Sequence, residues 1–524
     1  MIAEDQTEVV AFLASPATHA GLPVERIDTH ASIVFLAGSH AWKLKRAVQY
    51  DYLDFSTSER RKAMCEAEVR INRRAAPALY RGVVPVTRQA DRSLALGGSG
   101  APVDWLVEMV RFDQDGLFDR LAARGALDLG LMRPLATAIA QFHDGAERRS
   151  DHGGAAGMTW VVDGNGTGFA EQGAGILDPS ACANLTLSSR EQLDGHRRLL
   201  DARRNGGFVR QCHGDLHLRN IVLLDGRPTL FDAIEFNDEI ACSDVLYDLA
   251  FLLMDLWRRH LPRHANVVWN GYLAETADLE GIPLLPLFLS CRAAVRAKTS
   301  ATAANLQTDR QRKSELQDLA RDYLTMAQQL LRPPPACLIA IGGFSGSGKS
   351  TVAKALAPLI GACPGAVVIR SDEARKQLCG VDPLQRLGPD GYTADITQRV
   401  YSTIAERAEQ VLRAGHAAIV DAVYARSADR EAIERVAAAA HVPLVGVWLE
   451  APESVLIARS EQRQLDASDA DAAVIHGQLA QDTGEITWHR IDASRALDDV
   501  VRAAAEMLRE RLKSQVVRFE SQAA

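Results

Sequence analysis

The sequence predicts two domains of different class: an α+β, two-lobed N-terminal domain and an α/β C-terminal domain built on a parallel sheet. Three observations predict this. The chain has 524 residues, more than one typical core holds. The run "RPPPA" at 332–336 cannot continue a helix and reads as a stiff link. Ahead of it, strand signals give way to helical periodicity. Beyond it, short apolar strands alternate with helices. The expected division is 1–332 (a small lobe to about 112, then a helical lobe), a linker at 333–336, a second domain at 337–511 and a poorly ordered tail at 512–524.

The elements follow in order. "ASIVFLAGSHAWKLK" reads as strand, tight turn, strand. "TSERRKAMCEAEVRINRRAA" has helical periodicity, and its Thr/Ser entry suits an N-cap. "DWLVEMVRF" at 104–112 is a further strand. From about 117 the pattern is helical, interrupted by "QCHGDLHLRNIVLLDGRPTLFDAIEF", a loop followed by a hairpin turning at "DGRP". After the prolines, "CLIAI", "AVVIRS", "AAIVDAV", "PLVGVWL" and "ITWHRIDA" are the strands of the parallel sheet.

Composition narrows the class. Hydrophobic content of 47% and charged content of 24% suit a soluble globular chain. A net charge of −8 gives no general pull toward nucleic acid or anionic membrane. The eight cysteines show no CxxC pair, so a structural zinc site is not expected. The N-terminus lacks the pattern of a secretion signal, and "VLYDLAFLLMDLW" is too short and too interrupted by Asp248 and Asp255 to span a bilayer. A cytoplasmic enzyme with no membrane partner is the expectation. The oligomeric state is not legible.

"GGFSGSGKST" at 342–351 matches GxxxxGK[ST] from Gly343 to Ser350. Such a turn points backbone N–H groups at phosphate oxygens, from Ser345, Gly346, Ser347 and Gly348 through Thr351. Lys349 would reach the β/γ-phosphates and Ser350 would ligand Mg²⁺. An apolar strand precedes, and an amphipathic helix (Val352, Leu356, Leu359, Ile360) follows. The stretch from about 336 to 510 resembles small P-loop kinases of the zeta-toxin, polynucleotide-kinase and gluconate-kinase group. By that resemblance Asp372, in "SDEAR", would accept or orient the acceptor hydroxyl's proton, and Arg375 would bind acceptor or phosphate. Asp421 closes a strand at the ligand-binding end of the sheet, where it would hold Mg²⁺ through water or contact substrate. Arg459 and Arg463 lie at i,i+4, as lid arginines would.

"HGDLHLRN" at 213–220 carries His213 and His217 four apart, but Gly214 and the neighbouring strand signals argue against the helix a zinc site would need. The spacing Asp215-x4-Asn220 is instead that of protein-kinase catalytic loops, where the acid takes the hydroxyl proton and the asparagine ligands Mg²⁺. Asp232, beyond a hairpin, supplies a second metal-binding acid. Residues 25–300 thereby resemble the aminoglycoside phosphotransferase family, within the protein-kinase-like fold. That resemblance implies an ATP-phosphate lysine paired to a helix glutamate. Lys43 is preferred over Lys45, and Glu68 over Glu66. Asp248 would buttress the catalytic loop, and His213 would support it by hydrogen bonding. Neither GxGxxG nor Asp-Phe-Gly is present.

The two resemblances together imply a bifunctional kinase using ATP and Mg²⁺, with small-molecule hydroxyls as acceptors. At the C-terminal site the acceptor would be a sugar, a nucleoside or a nucleic-acid 5′ end, the last unsupported by overall charge. The alternatives are one kinase gated by a nucleotide-binding partner domain, or a toxin-like kinase.

Overall fold

The structure is a computed structural model that describes residues 3–382, 385–461, 468–469 and 471–512. The chain divides into two compact units, Met1–Asp255 with Val295–Ala320, and Leu256–Ala294 with Arg321–Ala524. The second unit therefore takes in helices that precede the proline run.

The first unit opens with helix α1 (Thr7–Ala14) and an antiparallel sheet. Its strands are β1 (Val24–Asp28), β2 (Ser32–Ala37), β3 (His40–Lys45), β6 (Tyr80–Arg88), β7 (Leu94–Leu96) and β8 (Ala101–Val110), in the order β1-β2-β3-β8-β6-β7. A small hairpin, β4 (Gln49–Tyr50) with β5 (Leu53–Asp54), leads to helix α2 (Ser58–Asn72). Successive strand side chains point to opposite faces. Trp42 and Leu44 of β3 join Val9, Leu13, Ile33 and Phe35 in one core. Ala41 faces the other way, with Cys65 and Val69 of α2. The same alternation puts Lys43 and Lys45 on the α2 side. Thr57 starts α2 by accepting the Arg60 N–H.

The helical part of this unit contains α3 (Phe118–Ala123), α4 (Met132–Asp144), α5 (Gly154–Gln172) and α6 (Pro179–Asn205). After β9 (Val209–Gln211) the chain enters the loop at 212–217. The hairpin β10 (Ile221–Leu224) and β11 (Arg227–Leu230) follows, then α7 (Asp238–Ala241), β12 (Cys242–Asp244) and α8 (Val245–Arg258).

Helix α9 (Pro262–Thr276) belongs to the second unit, and α10 (Leu285–Leu306) and α11 (Arg310–Leu330), each divided between the two units, lead to β13 (Leu338–Gly342) and α12 (Lys349–Leu356) of the second. Then come β14 (Val367–Arg370), α13 (Ser371–Leu378), α14 (Ala394–Arg413), β15 (Ala418–Asp421), α15 (Ser427–Ala439), β16 (Leu444–Glu450), α16 (Glu453–Glu461), α17 (Ala472–Leu479), β17 (His489–Asp492) and α18 (Leu497–Leu512). The five strands pair in parallel in the order β14-β15-β13-β16-β17. β13 is central and buried along its whole length, as near-continuous apolar parallel strands are. The exposed edge of β14 is covered: Asn270 of α9 accepts the Val368 N–H at 2.7 Å, and Asn266 donates to the Pro364 and Ala366 carbonyls at 3.1 Å. A side-chain amide here replaces a missing neighbour strand.

No described helix is long and apolar enough to cross a membrane. Residues 513–524 of the expected tail lie outside the described residues.

Candidate active site

In the first unit the loop 212–217 is held by Asp248 of α8. Its carboxylate accepts the His213 N–H at 3.1 Å and the Gly214 N–H at 2.8 Å, and it meets His143 Nε2 at 3.0 Å. One helical turn pair later, Asp255 accepts the Leu218 N–H at 3.1 Å. The glycine at 214 has φ +80°, a conformation costly for other residues. His213 is fully buried and donates from Nε2 to the Phe231 carbonyl at 2.9 Å. Burial holds its imidazole below the ordinary range, against the opposing pull of Asp248 and Asp215.

Asn220 Nδ2 donates to both the Asp215 carbonyl and the Asp215 Oδ2 at 3.0 Å. His217 Nε2 lies 3.3 Å from the same carboxylate. Burial raises the Asp215 carboxyl, but His217, with His213 and Arg296, more than offsets that. The net position is well below the usual carboxylate range. Asp215 is therefore ionised throughout the physiological pH range.

Asp232 follows β11 with φ +62°, a strained conformation for a non-glycine residue. Surrounding bonds impose it. Its N–H donates to Tyr80 Oη at 3.0 Å, the Ala233 N–H to Asn72 Oδ1 at 2.8 Å, and the Ile234 N–H to the His213 carbonyl at 2.8 Å. Lys43 Nζ then bridges Asp232 Oδ1 at 2.5 Å and Glu68 Oε1 at 2.8 Å. Lys45 Nζ reaches Glu68 Oε2 at 2.6 Å and also pairs with Glu235. Burial opposes ionisation of Glu68, yet the two lysines pull its carboxyl down to about 2. Both lysines are raised, their acids outweighing desolvation. Glu66 is exposed, 3.9 Å from Lys62, and takes no part in this cluster.

Lys43 and Lys45 thus share one glutamate, and sequence reading did not foresee Glu235 as the partner of the second. Two lysines at i,i+2 on one strand face were the available signal. The oxygens of Asp232 and Asn220 are hard donors, a chemistry that fits Mg²⁺.

In the second unit the turn after β13 wraps a cavity lined by Ser345, Gly346, Gly348, Lys349, Ser350, Ser371, Asp372, Val423 and Ser468. A Cβ at Gly346 would lie 2.3 Å from the Leu456 carbonyl oxygen, so only glycine fits there. Gly343 and Ser347 complete the turn, and Thr351 sits in the first turn of α12. Lys349 Nζ donates to the Phe344 carbonyl at 3.1 Å. Ser350 Oγ donates to Asp421 Oδ2 at 2.5 Å. This hydroxyl and carboxylate, both hard oxygen donors, likewise fit Mg²⁺. Asp372 faces the same cavity. Burial, and then the charge of Asp421, push its carboxyl above the ordinary range, against Arg370 and Lys349.

Of the expected arginines, Arg375 and Arg459 are not among the residues lining this cavity. Arg375 is buried, donating to the Gly391 carbonyl at 2.9 Å and the Thr397 hydroxyl at 3.2 Å, with Tyr392 against its guanidinium. Arg459 donates to the Ala493 carbonyl at 2.7 Å. Arg463 lies outside the described residues. Sequence reading missed Gln478 of α17, whose Oε1 accepts the Ser345 N–H at 2.8 Å and whose Nε2 donates to Ser345 Oγ at 3.1 Å. It also missed Arg370.

Residues 338–483 match the family model described as AAA domain. An uncharacterized protein of Mycobacterium tuberculosis (strain ATCC 25618 / H37Rv) is 29% identical over 476 residues, which cover 89% of this chain and 92% of that protein. An adenylyl-sulfate kinase of Myxococcus xanthus (strain DK1622) is 29% identical over 143 residues, 27% of this chain and 69% of that enzyme. The solved structure of a choline/ethanolamine kinase family protein from Mesorhizobium loti aligns over 62% of this chain and 94% of its own, at 13% identity and a TM-score of 0.38. The match to the AAA domain model thus falls on the stretch that holds most of the parallel sheet and the turn after β13, and it follows a unit that joins a six-stranded antiparallel sheet to a helical part.

Proposed function

We propose that the chain is an ATP-dependent phosphotransferase with two separate sites, each passing the γ-phosphoryl group of ATP to a hydroxyl of a small molecule. The observation that carries it is Lys43, which bridges Glu68 and Asp232 in the unit that also holds Asp215 against Asn220. That is the lysine–glutamate pair, metal acid and catalytic-loop pair used by protein-kinase-type phosphoryl transfer.

At the N-terminal site Lys43, fixed by Glu68, binds the ATP phosphates, and Asp232 and Asn220 hold Mg²⁺. Asp215 accepts a hydrogen bond from the acceptor hydroxyl and so aims its oxygen. A strongly ionised carboxylate is a weak base, so Asp215 takes the hydroxyl proton late, as the new oxygen–phosphorus bond forms. At the C-terminal site Lys349 and the turn amides bind the phosphates, Ser350 and Asp421 hold Mg²⁺, and Asp372 takes the acceptor proton. Its raised affinity for protons makes it the stronger base of the two. Bound Mg²⁺ neutralises charge developing on the transferred phosphoryl oxygens.

The name of the Myxococcus relative and the AAA domain match support a kinase at the C-terminal site. A net charge of −8 favours a small-molecule acceptor over a nucleic-acid end.

The test is ATP-dependent phosphorylation of a metabolite extract, read by mass spectrometry, with Asp215→Asn and Lys349→Ala chains compared separately. Each variant should lose a distinct set of phosphorylated products. A variant with the full wild-type product set removes its site from the proposal.

A further inference from the structure

Arg370 is the last residue of β14 and plays no part in the mechanism above. It is 5% exposed. Its NH2 donates to Ser350 Oγ at 3.0 Å, its Nε to Asp421 Oδ2 at 3.4 Å, and its NH1 to Glu373 Oε1 at 3.0 Å. The Ser350 hydroxyl therefore accepts from a cation while it donates to Asp421. Those two oxygens are the pair that fits a divalent cation.

The geometry is particular to arginine. A planar guanidinium offers several donors in fixed directions and is weakly hydrated, so it can bridge a hydroxyl and two carboxylates in a buried place. A lysine offers one point charge and cannot span them. The charge balance points the same way. Asp372, Asp421 and Glu373 gather at this end of the sheet, where an anionic polyphosphate must arrive. Arg370 sets a positive charge directly against Asp421 and Glu373, at short range, where Coulomb terms are large.

We propose that Arg370 is a built-in counter-cation of the P-loop. It keeps Ser350 and Asp421 aligned and lets nucleoside triphosphate bind without a divalent cation, which is then needed for transfer alone. This rests on the reading that the C-terminal site binds ATP.

The test is fluorescence titration of the full chain with mant-ATP, in excess EDTA and in excess Mg²⁺. The parent chain carries Lys43→Ala to silence the N-terminal site. Its affinity in EDTA should stay within about fivefold of that in Mg²⁺. Arg370→Met should lose more than about fivefold in EDTA, with Mg²⁺ restoring most of it. Arg370→Lys, read in place of Arg370→Met if circular dichroism shows that chain unfolded, should show the same metal dependence at smaller amplitude. A parent that loses more than about fivefold in EDTA overturns the proposal, as does a folded variant with the parent's metal dependence. If Lys349→Ala leaves mant-ATP binding in Mg²⁺ unchanged, the underlying assignment of the C-terminal ATP site fails instead.

Discussion

Asp215 and Asp372 are two half-buried carboxylates pushed in opposite directions by what surrounds them. Basic neighbours, His217 first, stabilise the charged form of Asp215. Burial and a second acid, Asp421, destabilise the charged form of Asp372. Two outcomes are expected. Asp215→Asn should lower kcat at the N-terminal site by about 10²–10⁴-fold with ATP affinity kept, as steady-state kinetics would show. At the C-terminal site, kcat/KM should rise with pH as Asp372 loses its proton, with a midpoint above the ordinary carboxylate range. Asp372→Asn should abolish that limb, and a profile unchanged by the substitution would remove Asp372 as the base. The pair Asp215–Asn220 was legible in the sequence because its five-residue spacing is local. The choice between Lys43 and Lys45 was not legible, because both face α2 and only the folded distances show that Lys43 also reaches Asp232.

Helix α2 delivers Glu68 to the lysines, so its integrity matters beyond its own stability. Its cap is Thr57, which accepts the Arg60 N–H at 3.3 Å. Thr57→Ala should destabilise the protein by about 1 kcal/mol in chemical denaturation. The buried carboxyl of Glu68 has a folded value of about 2, below its unfolded value. A depressed acid contributes stability above its unfolded pKa and loses it as pH falls through the folded one. The melting-temperature gap between wild type and Glu68→Gln should therefore be full near neutrality and narrow as pH falls toward about 2. In the second unit the turn between β13 and α12 has no space at Gly346. Gly346→Ala should abolish ATP binding there, measured by titration calorimetry on a Lys43→Ala chain. Such a turn is readable from sequence because the glycines report backbone shape directly. The grip of Gln478 on Ser345 was not readable, because it joins residues 133 positions apart.

At the scale of the molecule, two compact units carry the two site constellations separately. Asp215→Asn and Lys349→Ala should each leave part of the ATP consumption seen with a broad acceptor extract. The double variant should fall at least about a hundredfold below wild type in a coupled ADP assay. Residual turnover in the double variant close to that of either single variant would place the activity elsewhere.

The sequence by itself determined the two classes of unit, the β2–β3 hairpin, α2, the strands of the parallel sheet, the Gly-rich turn at 343–350 and the spacing of Asp215, Asn220 and Asp232. These depend on periodicity, local spacing and backbone-shaping glycines, all short-range properties. The tertiary structure alone decided which lysine meets which acid, that Arg375 and Arg459 bind backbone carbonyls, and that α9 covers the edge of β14. Those outcomes depend on long-range proximity and desolvation, which arise only once distant strands and helices have packed together.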